Sequence, residues 1–231
     1  MIKQSADDAE LEGSTDPQVK HIQHPGVLKI LAHFFSVLFH PLFIPLYVAS
    51  FITYIHPSYF AGFGPPEKMQ VLIIIIFNVI FFPLFTVLLL KGLGFIDSFY
   101  LKTQKDRIIP YIASSIFFFW TCRVFLQQTQ YPVIMGAFML GILLTSFIAL
   151  FVNIYYKISM HAMGMGGLLG IFLVIMKSDS MLMTWPLCIA LILTGMVCTS
   201  RLLISDHTQK EIYTGIIVGL FCQFIASSII L

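Results

Sequence analysis

The sequence predicts an all-α protein, a polytopic transmembrane helical bundle of about six to seven spans. Of its 231 residues, 58% are hydrophobic and only 10% are charged, with a mean hydropathy of +0.91. A soluble domain carries roughly a quarter charged residues. The apolar residues also gather into runs close to the roughly 20 residues that a helix needs to cross a bilayer. A net charge of +2 with no basic cluster gives no ground for nucleic-acid binding. Cys122, Cys188, Cys198 and Cys222 all lie in apolar runs without Cys-x-x-Cys spacing, so they read as small buried hydrophobes rather than a disulfide framework or zinc site.

Taken in order, residues 1–24 are polar, with Asp7, Asp8, Glu10, Glu12 and Asp16. They lack the basic start and apolar core of a signal peptide, and read as a flexible tail. Residues 25–231 form the transmembrane domain. Its first segment, 26–56, is broken by Pro41 and Pro45 and is expected to cross once, its first part lying along the interface or entering at a tilt. His33 and His40, seven apart on this segment, read as interfacial histidines rather than a haem or metal pair. Further spans are expected over 69–91, 108–127, 132–156, 162–177, 183–204 and 210–231, which makes seven crossings in all. Gly215-x-x-x-Gly219 and Gly166-x-x-x-Gly170 predict close packing seams between spans.

Three polar islands interrupt the apolar pattern, at 91–107, 157–161 and 201–211. Two spans separate each from the next, so all three emerge on one membrane face. The third island places Arg201, Asp206, His207, Lys210 and Glu211 within eleven positions. Charge at the edge of a span is costly and marks a functional site by default. On a helix starting near residue 205, His207 and Glu211 share a face. A carboxylate there holds one imidazole nitrogen and leaves the other free to attack. Arg201 supplies a planar guanidinium suited to phosphate. The alternative is that Thr208-Gln-Lys-Glu211 is a helix-capping box and His207 a polar loop residue. The first island offers Lys102, Lys105 and Arg107; the second offers Lys157, Ser159 and His161. Cations, two histidines, a serine and a carboxylate form an inventory suited to phosphoryl transfer, where catalysis is mostly positioning and charge neutralisation. Metal binding fits less well, because the histidines lack carboxylates or thiolates at ligand spacing.

These residues resemble the three motifs of the type 2 phosphatidic acid phosphatase superfamily, Lys-x6-Arg-Pro, Pro-Ser-Gly-His and Ser-Arg-x5-His-x3-Asp. Ser200-Arg201, His207 and Glu211 match the third, with Glu in the Asp place. Ser159 and His161 match the second, with Ile158 and Met160 replacing its proline and glycine. Arg107 and a displaced Pro110 match the first; Tyr100 stands where its lysine would be, so Lys102 or Lys105 substitutes. The resemblance covers roughly residues 91–220. It implies a metal-independent hydrolase without cofactors, acting on a lipid phosphate or isoprenoid diphosphate. His207 would carry the phosphoryl group, Glu211 would orient it and His161 would protonate the leaving oxygen. Arg107, Arg201, Lys102 or Lys105 and Ser159 would bind phosphate. A catalytically degenerate homologue that binds a lipid phosphate, or serves a structural role, is the alternative. The expected setting is a bacterial inner membrane. The positive-inside rule makes the site cytoplasmic, whereas many members of that family face the periplasm or lumen, so the face stays open.

Overall fold

Inside a bilayer no water satisfies backbone N–H and C=O groups, so each apolar run must close its hydrogen bonds within itself. The computed structural model describes residues 25–96, 104–204 and 207–231, and these form helices with no strand among them. They are α1 (Gly26–Leu38), α2 (Ile44–Ser50), α3 (Pro65–Ile75), α4 (Phe82–Gly92), α5 (Gln104–Gln127), α6 (Val133–Tyr155), α7 (Met160–Ser178), α8 (Thr184–Leu203) and α9 (Gln209–Ile230). A π-helical stretch, Ile76–Phe81, joins α3 and α4 into one rod. Among the described residues six helices are long and apolar enough to span a membrane: Pro65–Gly92, Lys105–Gln127, Val133–Tyr155, Met160–Ser178, Thr184–Leu203 and Gln209–Ile230. The protein is an all-α polytopic integral membrane protein. The expected N-terminal tail, 1–24, lies outside the described residues, as does Lys102.

The single crossing expected over 26–56 is instead two helices, Gly26–Leu38 and Ile44–Ile55, each shorter than a span. Pro41 lies in the break and Pro45 starts the second helix, because proline removes a helical donor and suits a first turn. α1 lies on α8. α2 and its π-helical continuation Phe51–Ile55 track α7 from end to end. Pro41 and Ile44 sit against Gly164, Phe51 packs 4.8 Å from Phe172, and Ser58 reaches Asp179 beyond the end of α7.

The tightest seam joins α7 and α9, where the expected small-residue pairs interlock. A Cβ on Gly219 would lie 2.1 Å from the Met163 carbonyl oxygen, and one on Gly166 would lie 2.2 Å from that of Ile216. Only glycine admits so close a backbone approach. Gly215 faces the Ser159 carbonyl in the same way, so the seam runs to the tops of both helices and levels the second island with the third. The backbone N–H of Ser159 reaches the Glu211 carbonyl at 3.5 Å. The first island joins them through α5, since Tyr111 clusters with Ile158 and Met163. The three islands therefore meet at one end of the bundle, as parity requires.

Candidate functional site

α9 starts with a reciprocal cap. The Glu211 N–H donates to Thr208 Oγ1 at 3.3 Å, and the Thr208 N–H donates to Glu211 Oε2 at 3.3 Å. The same Oε2 accepts from Nδ1–H of His207 at 2.7 Å. The capping-box reading and the histidine–carboxylate reading of this stretch thus describe one arrangement. With its proton on Nδ1, the imidazole keeps a lone pair on Nε2, which has no hydrogen-bond partner among the described residues. The His207 side chain is only 6% exposed. Burial is the main influence and pulls its pKa below the ordinary 6.5. Glu211 raises it through the hydrogen bond and its charge, while Arg201 and Lys157 lower it. The net direction is downward, so His207 is neutral near pH 7.

Arg201 ends α8, and its Nη1 donates to Ser36 Oγ on α1 at 2.7 Å. His161, on the first turn of α7, places Nε2 3.0 Å from the Ser36 carbonyl oxygen and 3.2 Å from Ser36 Oγ. A carbonyl only accepts, so Nε2 carries the ring proton. The His40 ring meets the His161 ring edge-on at 5.3 Å. His161 lies within electrostatic reach of Arg201, His40 and His207, which makes these residues one cluster. Ser159 is fully buried as the N-cap of α7, its Oγ accepting from the Ala162 N–H at 3.4 Å. Two helix N-termini, those of α7 and α9, meet here beside Arg201 and Lys157, and each adds partial positive charge. The arrangement favours an anion next to an unprotonated imidazole nitrogen.

Not all the expected residues converge equally. Arg107 is buried, but in the first turn of α5 rather than in the polar connection, one turn before Tyr111. Lys105 projects from that turn and is exposed. His40, read from the sequence as an interfacial histidine, packs on His161. Ser36, Lys157 and His40 complete the cluster beyond the motif residues. Only Lys157 carried a sequence signal, its place in the second island. Cys122 and Cys222 are buried as expected, while Cys188 faces outward. Among the described residues no group of three or more His, Cys, Asp or Glu stands ready to hold a metal.

The fold and site define a class of protein: a polytopic helical membrane protein with a buried histidine–carboxylate pair beside a guanidinium at one end of the bundle. No protein-family model, no curated protein and no solved structure matches the chain.

Proposed function

We propose that the protein is a divergent member of the type 2 phosphatidic acid phosphatase superfamily, a membrane phosphatase that cleaves a lipid phosphate or isoprenoid diphosphate without a metal. The observation that carries this reading is the 2.7 Å His207–Glu211 bond, which leaves Nε2 of His207 unprotonated within electrostatic reach of Arg201 and Lys157. In the first step Nε2 attacks phosphorus. The bond from phosphorus to the leaving oxygen breaks, its electron pair goes to that oxygen, and His161, protonated on both ring nitrogens for this step, supplies the proton from Nδ1. Glu211 stabilises the positive charge that develops on His207, as a buried carboxylate does for a catalytic histidine. In the second step water gives a proton back to His161 as it attacks the phospho-histidine; the P–N bond breaks, its electron pair returns to Nε2 of His207, and inorganic phosphate leaves. Arg201, with Arg107, Lys157 and the two helix N-termini, neutralises phosphate oxygens. Lys102, Lys105 and Ser159 stay as supporting candidates for phosphate binding on the strength of the motif resemblance alone. The bacterial inner membrane is the setting this reading assigns.

One observation favours a second reading, a lipid-phosphate binder that does not turn over. Ser36 engages both Arg201 and His161, so both groups already have a protein partner. Phosphate release from several lipid phosphates by the purified protein in detergent separates the two. Release that is lost in His207→Ala supports the phosphatase; binding without release supports the second reading.

A further inference from the structure

Beside the histidine cluster lies a cavity of about 130 Å³, bounded by the start of α2, by α5 and by α6, α7 and α9. Pro41, Leu42 and Met160 line it, and they adjoin His40 and His161 in the chain. The helix break around Pro41 leaves α1 and α2 separate at this point.

The wall is mostly apolar; besides the hydroxyls of Ser114, Thr145 and Ser146 it carries two larger polar side chains. Tyr111 on α5 is 7% exposed and Gln223 on α9 is 1% exposed; both line the cavity. Tyr111 Oη and Gln223 Oε1 are buried and have no hydrogen-bond partner among the described residues. The Gln223 amide is wedged against Gly141, where a Cβ would meet it at 2.4 Å. A buried polar group left unpaired is costly, so two of them lining one cavity point to an occupant that carries polar atoms. Their depths narrow its chemistry. Tyr111 clusters with Met163 and the Gln223 amide lies near Gly167. These levels are two and six residues past His161, roughly 3 and 9 Å at 1.5 Å per residue.

We propose that this cavity seats the glycerol-proximal part of an acyl lipid, with Tyr111 and Gln223 donating hydrogen bonds to its ester carbonyls. The inference rests on the phosphatase reading and narrows it to an ester-linked glycerolipid phosphate. The Tyr111 hydroxyl donates directly. The Gln223 amide presents its NH2 by rotation of its terminal bond, since its two ends are nearly the same shape. With the phosphate at the histidines, the carbonyls of such a lipid fall a few bonds further down, at these depths. An isoprenyl chain has only hydrocarbon there and leaves both polar groups unpaired.

The test uses the full-length His207→Ala protein in detergent, where binding is measured by calorimetry without turnover. The probes are dioctanoyl phosphatidate, its dioctyl ether analogue and farnesyl phosphate. The expected result is about five- to tenfold tighter binding of the ester than of the ether, the factor one net hydrogen bond supplies. Tyr111→Phe in that background should reduce the difference and leave the affinity for the ether unchanged, which also shows that the variant is folded. If that variant does not fold, Gln223→Met should reduce the same difference. Equal binding of ester and ether, a preference that survives both substitutions, or tightest binding of farnesyl phosphate overturns the proposal. Phosphate release by the unsubstituted protein is scored separately. An ester preference without release sinks the phosphatase reading and leaves the lipid assignment standing.

Discussion

Nδ1 of His207 and Oε2 of Glu211 lie 2.7 Å apart across the first turn of α9. The contact fixes which nitrogen carries the proton, and therefore which one can attack. His207→Ala should lower phosphate release by about a thousandfold or more, since nucleophile removal is among the largest single losses in covalent catalysis. Expression and melting temperature should stay near those of the unsubstituted protein. Brief incubation with substrate labelled in its phosphate should leave acid-labile label on the protein, and none on His207→Ala.

The pH dependence follows from the lowered pKa of His207. Protonation of Nε2 removes the lone pair, so kcat/KM falls as pH drops through the His207 pKa, and that acid limb should lie below pH 6.5. Glu211 raises this pKa, so Glu211→Gln should move the limb further down. Glutamine can keep the capping box and the contact to Nδ1 through its carbonyl oxygen, but it carries no charge to stabilise the imidazolium that develops on His207. kcat should fall by about 10²- to 10⁴-fold, the upper figure being that of the corresponding change in a serine-protease triad. Profiles of kcat/KM against pH for both proteins check the direction of the shift.

His161 is assigned to the leaving oxygen. His161→Ala should slow alkyl and lipid phosphates by about 10²- to 10⁴-fold, and activated aryl phosphates, whose leaving groups need no proton, far less. Equal slowing of both classes would make His161 a structural or phosphate-binding residue.

The α7–α9 seam gives a stability prediction with an internal control. Gly219→Ala drives a methyl group into the Met163 carbonyl and should destabilise by about 1–3 kcal/mol, the usual cost of overpacking. Gly195, on α8, has nothing within 4 Å of its would-be Cβ. Gly195→Ala should be neutral, or stabilising by about 0.5–1 kcal/mol. Thermal melts in detergent compare the two. Because the same seam levels the second island with the third, Gly219→Ala should also lose activity.

Much of this was legible in the sequence, for identifiable reasons. The long helices follow from uninterrupted apolar length, the seam from four glycines at helical spacing, and the His207–Glu211 contact from an i, i+4 spacing that only a helix start there realises. The path of residues 26–56 was not legible. Hydropathy registers an apolar run but not how far a proline break swings it, and on that swing depends whether Ser36 and His40 reach His161. Ser36 is 125 residues from His161 and 165 from Arg201, and a lone serine in an apolar helix carries no mark of such partners. Arg107 and Pro110 were expected outside or at the edge of a span. The helix takes them in because charge is tolerated in a first turn, and because neighbouring helices re-satisfy the backbone groups that a proline frees. The π-helical stretches depend on packing context and leave no trace in composition.

Glu211 serves as cap and as orienter through the same oxygen, and this ties reactivity to the most fragile part of a helix. End turns open far more often than helix interiors. When the first turn of α9 frays, the cap and the His207 contact are lost together, and α9 can lose that turn while the rest of the bundle holds. On the phosphatase reading the protein therefore carries a thermal fuse: on gentle heating, phosphate release should disappear reversibly several degrees before the helices melt.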